Sequence, residues 1–378
     1  MLTGCTTYSS DICNAMFSFF SEFRDAQKVA GQRYHVIFYA ESRYYFQYFR
    51  YLFDELVVLP GIKIAYITSD KGDSILSDKR VEAFYLKTTV PGIFPRLQAD
   101  VMIMTMPDLQ QYIFKKSVSV KKYVYVFHAL VSTYQQYRAH AFDHYDTIFC
   151  TGPQQQAEIR EAEGLYGLPS KECIPFGYPL LQDLKERIVE PQNKMLIAPS
   201  WYKEGILNTC ILPLVEALND NNSEVWIRPH PEFIKRNKKL YHQLKEVVKA
   251  KNGIFFDSSP SIFTHLPDAA HLITDRSGIA LEYAFATGRP VLFIDTPLKI
   301  QNPESKRFAL VPLENVFRNQ LGLSVEQQAL HLLPEALRQL NSSAETYRTS
   351  IRQTENAVVY PPENRQNGVN YIREQLTL

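Results

Sequence analysis

His271-Leu-Ile-Thr-Asp-Arg-Ser-Gly-Ile-Ala-Leu-Glu-Tyr-Ala-Phe-Ala-Thr-Gly-Arg-Pro-Val-Leu-Phe-Ile-Asp295 is the stretch from which the rest of the chain is read. It predicts a buried strand, a tight turn at Ser277-Gly278, a short helix carrying Glu282, a stop at Gly288 and a second buried strand. A turn of small residues feeding a helix N-terminus leaves backbone N–H groups unpaired under the positive end of the helix dipole. Such a turn suits a phosphate. Glu282 stands more than one helical turn beyond Ser277, where a carboxylate is expected to reach a ribose instead.

The same rhythm extends in both directions. Short apolar runs at 36–39, 63–67, 101–104, 123–127 and 147–150 predict one strand series, with a helix from Glu41-Ser42 to Leu56. Residues 173–180 and 189–193, rich in Pro and polar side chains, read as an interdomain connection. A second series follows at 195–198, 224–228, 254–257, 271–274 and 290–294. Strands separated by helical segments predict parallel sheets with right-handed crossovers. The fold class is therefore α/β, with two Rossmann-like domains facing across a cleft. The expected divisions are an aromatic helix within 1–30, a first domain over 31–185, a second over 190–350, and a terminal segment, 351–378, whose helix returns to the first domain. In the N-terminal helix Ile12, Met16, Phe19, Phe20 and Phe23 share one face, with Asp11 as cap, and that face is expected to be core.

A chain of 378 residues suits two domains, and 41 basic against 40 acidic residues give no reason to expect nucleic acid as a partner. Five cysteines without CxxC spacing argue for a reducing compartment and against a disulfide framework or zinc site. No run approaches the about 18 apolar residues of a membrane span. Leu2-Thr3-Gly4-Cys5 resembles a lipoprotein cleavage box, but only Met1 precedes it, so it is read as chance. No Walker loop, GxSxG elbow, HExxH or complete GxGxxG is present.

In parallel sheets the functional residues gather at the carboxyl ends of strands. His128 stands at such an end, followed by Ser132 and Thr133. Ser200, in Ala198-Pro-Ser-Trp201, is expected to cap the next helix and to offer its hydroxyl to a phosphate. His230 is held between Pro229 and Pro231, which fix its backbone, and Arg228 beside it reads either as a phosphate ligand or as a buried ion-pair partner. Asp275, Arg276, Ser277, Gly278 and Glu282 form the candidate phosphate- and ribose-binding set, with Asp275 orienting Arg276 or the turn. Glu41, Ser42 and Ser132 are the acceptor candidates, and His271, inside a strand, reads as structural. No acidic metal cluster is visible, and no metal or cofactor is expected.

Taken together, His128 at a strand end, Ala198-Pro-Ser-Trp201, Arg228-Pro-His-Pro231, Thr274-Asp-Arg-Ser-Gly278 with Glu282, and Gly288-Arg-Pro-Val-Leu-Phe293 resemble the CDP-glycerol glycerophosphotransferase family, the teichoic acid primases and polymerases. The resemblance spans roughly residues 120–300. It implies a GT-B fold and a cytoplasmic transferase, peripheral on the inner face of a bacterial membrane. Such an enzyme moves a glycerol- or ribitol-phosphate from a CDP-activated donor to a hydroxyl of a cell-surface glycopolymer or its lipid-linked precursor, releasing CMP. On this resemblance His128 matches the family's proposed general base, His230 the histidine beside the donor pyrophosphate, Ser277 the pyrophosphate-binding serine and Glu282 an acidic residue near the nucleotide. Two departures stand out: where the family has His-Gly and a basic residue this chain has His128-Ala129-Leu130, and where it has Asp-Tyr-Ser-Ser this chain has Asp275-Arg-Ser-Gly278. A GT-B glycosyltransferase using a CMP- or UDP-sugar is the alternative enzyme reading, and a catalytically inactive anchored protein of the same fold is the non-enzyme reading.

Overall fold

The structure, a computed structural model, describes residues 20–218, 223–259 and 261–377. Strands β1 (Arg33–Ala40), β2 (Ile64–Thr68), β3 (Glu82–Tyr85), β4 (Gln98–Met104), β5 (Val120–Val126), β6 (Thr147–Cys150) and β7 (Glu172–Pro175) form one sheet in the order β3-β2-β1-β4-β5-β6-β7. Strands β8 (Gln192–Ile197), β9 (Glu224–Ile227), β10 (Ile254–Phe256), β11 (Ala269–Thr274), β12 (Val291–Asp295) and β13 (Gly322–Glu326) form the second, in the order β10-β9-β8-β11-β12-β13. Every pairing is parallel. The central strands are apolar almost throughout because helices cover both faces of each sheet.

Three strands escape the apolar-run reading, and all three lie at sheet edges. In β3 and β13 glutamate or serine interrupts the apolar residues. In β7, which falls inside the expected interdomain connection, Pro175 ends the strand. An edge strand can carry a proline because one side of its ladder is unpaired.

The strand order reverses between β1 and β4 in the first sheet and between β8 and β11 in the second. Such switch points open a crevice beyond the strand ends, and the two crevices define the cleft. The helix Ile279–Thr287 ends at Gly288 in the left-handed conformation (φ 67°), whose N–H bonds the carbonyl of Ala284, as a C-terminal cap requires.

The N-terminal helix is described over 20–30, and here the expected face is wrong. Phe20 and Phe23 are exposed, whereas Glu22, Ala26, Val29 and Ala30 are buried. Glu22 accepts from the amides of Lys87 (2.8 Å) and Thr89 (2.6 Å) and from the Thr89 hydroxyl (2.9 Å), so the described part of the helix is docked by a satisfied carboxylate and small residues, with Phe20 and Phe23 exposed. Leu2 to Cys5, Asp11, Ile12, Met16 and Phe19 lie outside the described residues.

After the long helix Ala344–Val358, the Tyr360 amide donates to the Thr151 carbonyl (2.8 Å) and the chain crosses back to the first sheet. There the helix Arg365–Gln375 places Val369 and Ile372 in a core with Phe149 and Phe176, and the Tyr371 hydroxyl pairs with Thr147 (2.6 Å). On the other side of the cleft, residues 299–314 of the second domain are fastened to the first. Gln301 donates its amide to the Gln135 carbonyl (2.8 Å), Phe308 stacks on Tyr134 at 4.3 Å, and Glu314 accepts the Ser132 amide (3.0 Å). Among the described residues no helix is long and apolar enough to cross a membrane.

Candidate active site

The turn after β11 is built around Asp275. Its carboxylate accepts from the amides of Ser200 (2.8 Å), Arg276 (2.7 Å) and Ile206 (3.2 Å), tying the loop after β8 to the loop after β11 at the switch point. Its carbonyl accepts from Arg318 (2.8 Å). Asp275 thus holds the site's backbone and does not line the cleft, which corrects its assignment to the phosphate- and ribose-binding set. With the turn so fixed, the carbonyls of Ser277 and Gly278 start the helix Ile279–Thr287, while the amides of Ser277, Gly278 and Ile279 have no acceptor among the described residues. Unpaired amides at the positive end of a helix are an anion cradle. Arg276 lies against it, its guanidinium donating to the Thr296 carbonyl at 3.0 and 3.2 Å.

Ser200 does line the cleft, but it caps no helix, because the next one begins at Ile206 behind Gly205. Arg228 takes the ion-pair role of its two expected ones and stays at the cleft surface. It pairs with the buried Asp257 and donates to Ser259 Oγ (3.1 Å), while also lining the cleft.

His230 is the N-cap of the helix Pro231–Arg236, with extended backbone (φ −60°, ψ 140°). Its Nδ1 accepts the Glu232 amide at 3.1 Å. A nitrogen that accepts from an N–H carries no proton, so the neutral ring has its proton on Nε2 and is a hydrogen-bond donor. Burial, then the charge of Lys299, pushes its pKa down to about 3, so the ring is neutral across the physiological range. His128 is held the opposite way. Its Nδ1 lies 3.1 Å from the Thr105 carbonyl oxygen, which can only accept, so Nδ1 carries the proton and Nε2 offers a lone pair. Burial lowers this ring to about 4; the bond to Thr105 opposes the shift and Lys299 adds to it.

Both histidines line one cleft of about 390 Å³ between the two sheets. Lys299, in the loop after β12, lines it too, and its Nζ stands 5.5 Å over the Trp201 ring. Burial pushes that ammonium down to about 8, against the opposing charges of Asp275 and Glu314. Arg236 covers Trp201 as well, at 5.0 Å. Nothing marks Lys299 in the sequence: Thr296-Pro-Leu-Lys299 carries no motif, and only the fold brings it beside both imidazoles.

Of the remaining candidates, Ser277, Gly278, Glu282 and Glu41 line the cleft. Glu282 is buried, and its Oε1 accepts the Tyr178 hydroxyl at 2.6 Å, so one of its two oxygens is already engaged. Burial raises it to about 7, with Tyr178 and Arg228 opposing. Glu41 follows β1 at the mouth, reachable by solvent yet crowded by protein. That crowding lifts it to about 7, Lys235 opposing and Glu232 and Asp108 adding to the shift. Ser42 and Ser132 do not line the cleft, which removes them as acceptor contacts. The Ser42 carbonyl closes a turn with the Tyr45 amide (3.0 Å), and Ser132 is buried with its amide on Glu314 and its hydroxyl accepting from the Gln135 amide (3.3 Å). His271 pairs through Nε2 with Asn341 (2.7 Å), a structural contact. Among the cleft residues that sequence reasoning missed, besides Lys299, are Tyr45, Tyr48 and Tyr137, whose rings surround His128, and Tyr44, which packs on Tyr45 and Tyr48. Among the described residues no group of His, Cys, Asp and Glu is arranged to hold a metal ion.

No protein-family model matches the chain, and curated proteins yield no match. Solved structures do. The wall teichoic acid polymerase TagF superposes with a TM-score of 0.58 at 12% identity, covering 90% of this chain and 88% of that one. The UDP-GlcNAc 2-epimerase of Neisseria meningitidis gives 0.57 at 15% identity, over 91% and 99% of the two chains. A putative epimerase of the same kind from Listeria monocytogenes gives 0.56 at 14%, over 90% and 95%. The fold is GT-B. The shared architecture, two parallel sheets facing across a cleft, is the one expected from the sequence.

Proposed function

We propose that this chain is a GT-B transferase that moves a polyol phosphate from a CDP-activated donor to a hydroxyl of a surface glycopolymer or its lipid-linked precursor, releasing CMP. The observation that carries the reading is the pair of opposed tautomers: His128 offers a lone pair and His230 a proton into one cleft, beside a helix N-terminus and Lys299.

Phosphoryl transfer of this kind forms a bond between the acceptor oxygen and the donor's outer phosphorus and breaks the bond to the pyrophosphate bridging oxygen. The acceptor's proton passes to His128 Nε2 as the new bond forms. The bridging oxygen leaves on CMP with growing negative charge, which the His230 Nε2–H, the Lys299 ammonium and the free amides at Ser277 and Gly278 offset. Phosphate charge beside both rings raises their pKa values from the low resting positions, which brings His128 toward the range in which a base is effective. TagF, the fold relative whose name carries teichoic acid polymerisation, was also solved after a CDPG soak. A donor of that kind fits a cleft with this charge pattern. The acceptor's lipid anchor would bring the protein to the inner face of the cytoplasmic membrane.

The decisive assay follows CMP release from CDP-glycerol and CDP-ribitol, with UDP- and CMP-sugars in parallel. Release from a CDP-polyol, lost in His128→Asn, is the expected result. Turnover of a nucleotide sugar alone would replace the proposal with the glycosyltransferase reading, and no binding of any nucleotide would favour the inactive scaffold.

A further inference from the structure

The two halves of the cleft differ in chemistry. The second-domain wall carries Arg228, Lys235, Arg236, Arg276 and Lys299 against two carboxylates, Glu232 and Glu282. The first-domain wall carries Glu41 and Asp108 against a single guanidinium, Arg138. That guanidinium is already engaged, 3.5 Å from Asp108 Oδ2 and 5.3 Å over the exposed Tyr112 ring. Apart from His128, Gln136 and the small or aliphatic Pro107, Ala129 and Val131, the rest of this wall is tyrosine. Tyr45, Tyr137 and Tyr48 set their rings edge-on around His128 at centroid distances of 5.4, 5.9 and 6.0 Å, and Tyr44 stands beside Tyr45 at 5.6 Å.

We infer that this wall is a subsite for an uncharged, ring-containing saccharide that presents its hydroxyl to His128, and not for a polyanionic polyol-phosphate chain. The inference deepens the proposed transfer and rests on it for His128's role. A sugar ring has apolar C–H faces that lie against aromatic rings, and hydroxyls that donate to carboxylates. Both features are present within one wall. One polar atom there also lacks a partner in the free protein: Asp108 Oδ1 makes no hydrogen bond. Buried polar atoms left open in this way are costly unless a ligand completes them. Asp108 is moreover held in the left-handed region (φ 64°) by its amide bond to the Ala141 carbonyl (2.9 Å), a backbone state that favours glycine and that clusters at ligand clamps. A chain of polyol phosphates brings a negative charge with every repeat, and on this wall those charges would meet the Asp108 carboxylate and would hold Glu41, which titrates near 7, in its protonated form, a double cost that discriminates against such an acceptor. The chemistry therefore fits the first addition to a sugar end better than extension of an existing phosphate chain.

The test is binding to the full chain with saturating CMP filling the cationic half. The probes are an alkyl glycoside of a neutral disaccharide and a tetrameric glycerol-phosphate oligomer, read by calorimetry. The disaccharide is expected to bind, with an affinity about tenfold lower in Tyr45→Ala, recovered in Tyr45→Phe, and reduced in Glu41→Gln. The oligomer is expected not to bind. Glu41 is solvent-accessible, so Glu41→Gln tests the wall even if Tyr45→Ala fails to fold. Tighter binding of the oligomer, binding of neither probe, or a disaccharide affinity indifferent to Tyr45 and Glu41 overturns the inference. Failure of CMP itself to bind counts against the transferase reading instead, and the disaccharide arm is then read on the free protein.

Discussion

Gly278 of the second domain sits directly beneath Val131 of the first: a Cβ added at Gly278 would stand 2.7 Å from Val131 Cγ1 and 3.3 Å from the Leu130 carbonyl oxygen. The loop after His128 and the turn Asp275-Arg-Ser-Gly278 therefore touch across the cleft. A serine at 278 would force apart the loop after His128 and the turn whose amides are unpaired among the described residues.

Gly278→Ser is therefore expected to destabilise the chain by about 1–3 kcal/mol, the usual cost of overpacking. Most of the loss should return in Gly278→Ser/Val131→Ala. Thermal melts of the four proteins in this cycle check it, and additive losses would show that the two sites do not meet.

Asp275 serves three amides and lies outside the cleft, so its replacement should act on folding before it acts on binding. In Asp275→Asn one acceptor becomes a donor that faces an N–H, a loss of roughly 1–3 kcal/mol. Urea titration gives the stability, and CDP calorimetry on the folded fraction gives the affinity. Full stability with abolished CDP binding would make Asp275 a ligand after all.

The strands that could be read from sequence are those buried on both faces, such as β4 and β12, where sheet packing forces nearly unbroken apolar runs. β3, β7 and β13 were illegible because an edge strand needs neither apolar faces nor a full ladder. The site divides in a similar way. His230 betrayed itself through the prolines that fix it, and Ser277 through the turn into a helix. Lys299 and the tyrosines around His128 gave no local signal, since their placement comes from crossovers and domain packing alone. Ser42 and Ser132 misled for the converse reason: small polar residues beyond strands also serve backbone turns, and here they do.

Stability should depend on pH with two opposite signs. His128 and His230 titrate near 4 and 3 in the fold, below their ordinary 6.5. Their neutral forms are thus favoured by folding, and that stability is complete above 6.5 and lost as pH falls from 6.5 toward those folded values. Urea midpoints at pH 7.5 and 5 should differ less in His128→Asn than in the parent chain. An unchanged difference would contradict the burial of His128.

Glu282 has the other sign, its folded pKa being raised from 4.5 to about 7. A raised carboxyl destabilises the fold increasingly as pH climbs from 4.5 through 7. Glu282→Gln keeps an oxygen for the Tyr178 hydroxyl and removes the charge. It should match the parent at pH 4.5 and be more stable at pH 8, by on the order of 1–3 kcal/mol. Equal stability at both pH values would mean that the carboxylate is well solvated.

Lys299→Met removes the ammonium that faces both imidazoles. CDP affinity should fall by about tenfold or more, as expected for a charge-assisted contact to phosphate. Because the ammonium titrates near 8, the parent chain should itself lose CDP affinity as pH rises from 7 to 9. Calorimetry across that range checks both statements, and a flat profile in the parent would remove Lys299 from the anion site.

The central claim is that two neutral histidines face one cleft as opposite tautomers, one a base and one a donor. Long-range proton–nitrogen correlation spectra of the full chain with labelled histidine read this directly, with His128→Asn and His230→Asn assigning the two rings. At pH 7 the account predicts a protonated Nδ1 with a bare Nε2 for His128, and the reverse for His230. A protonated Nε2 on His128 would leave the cleft without its base and contradict the account.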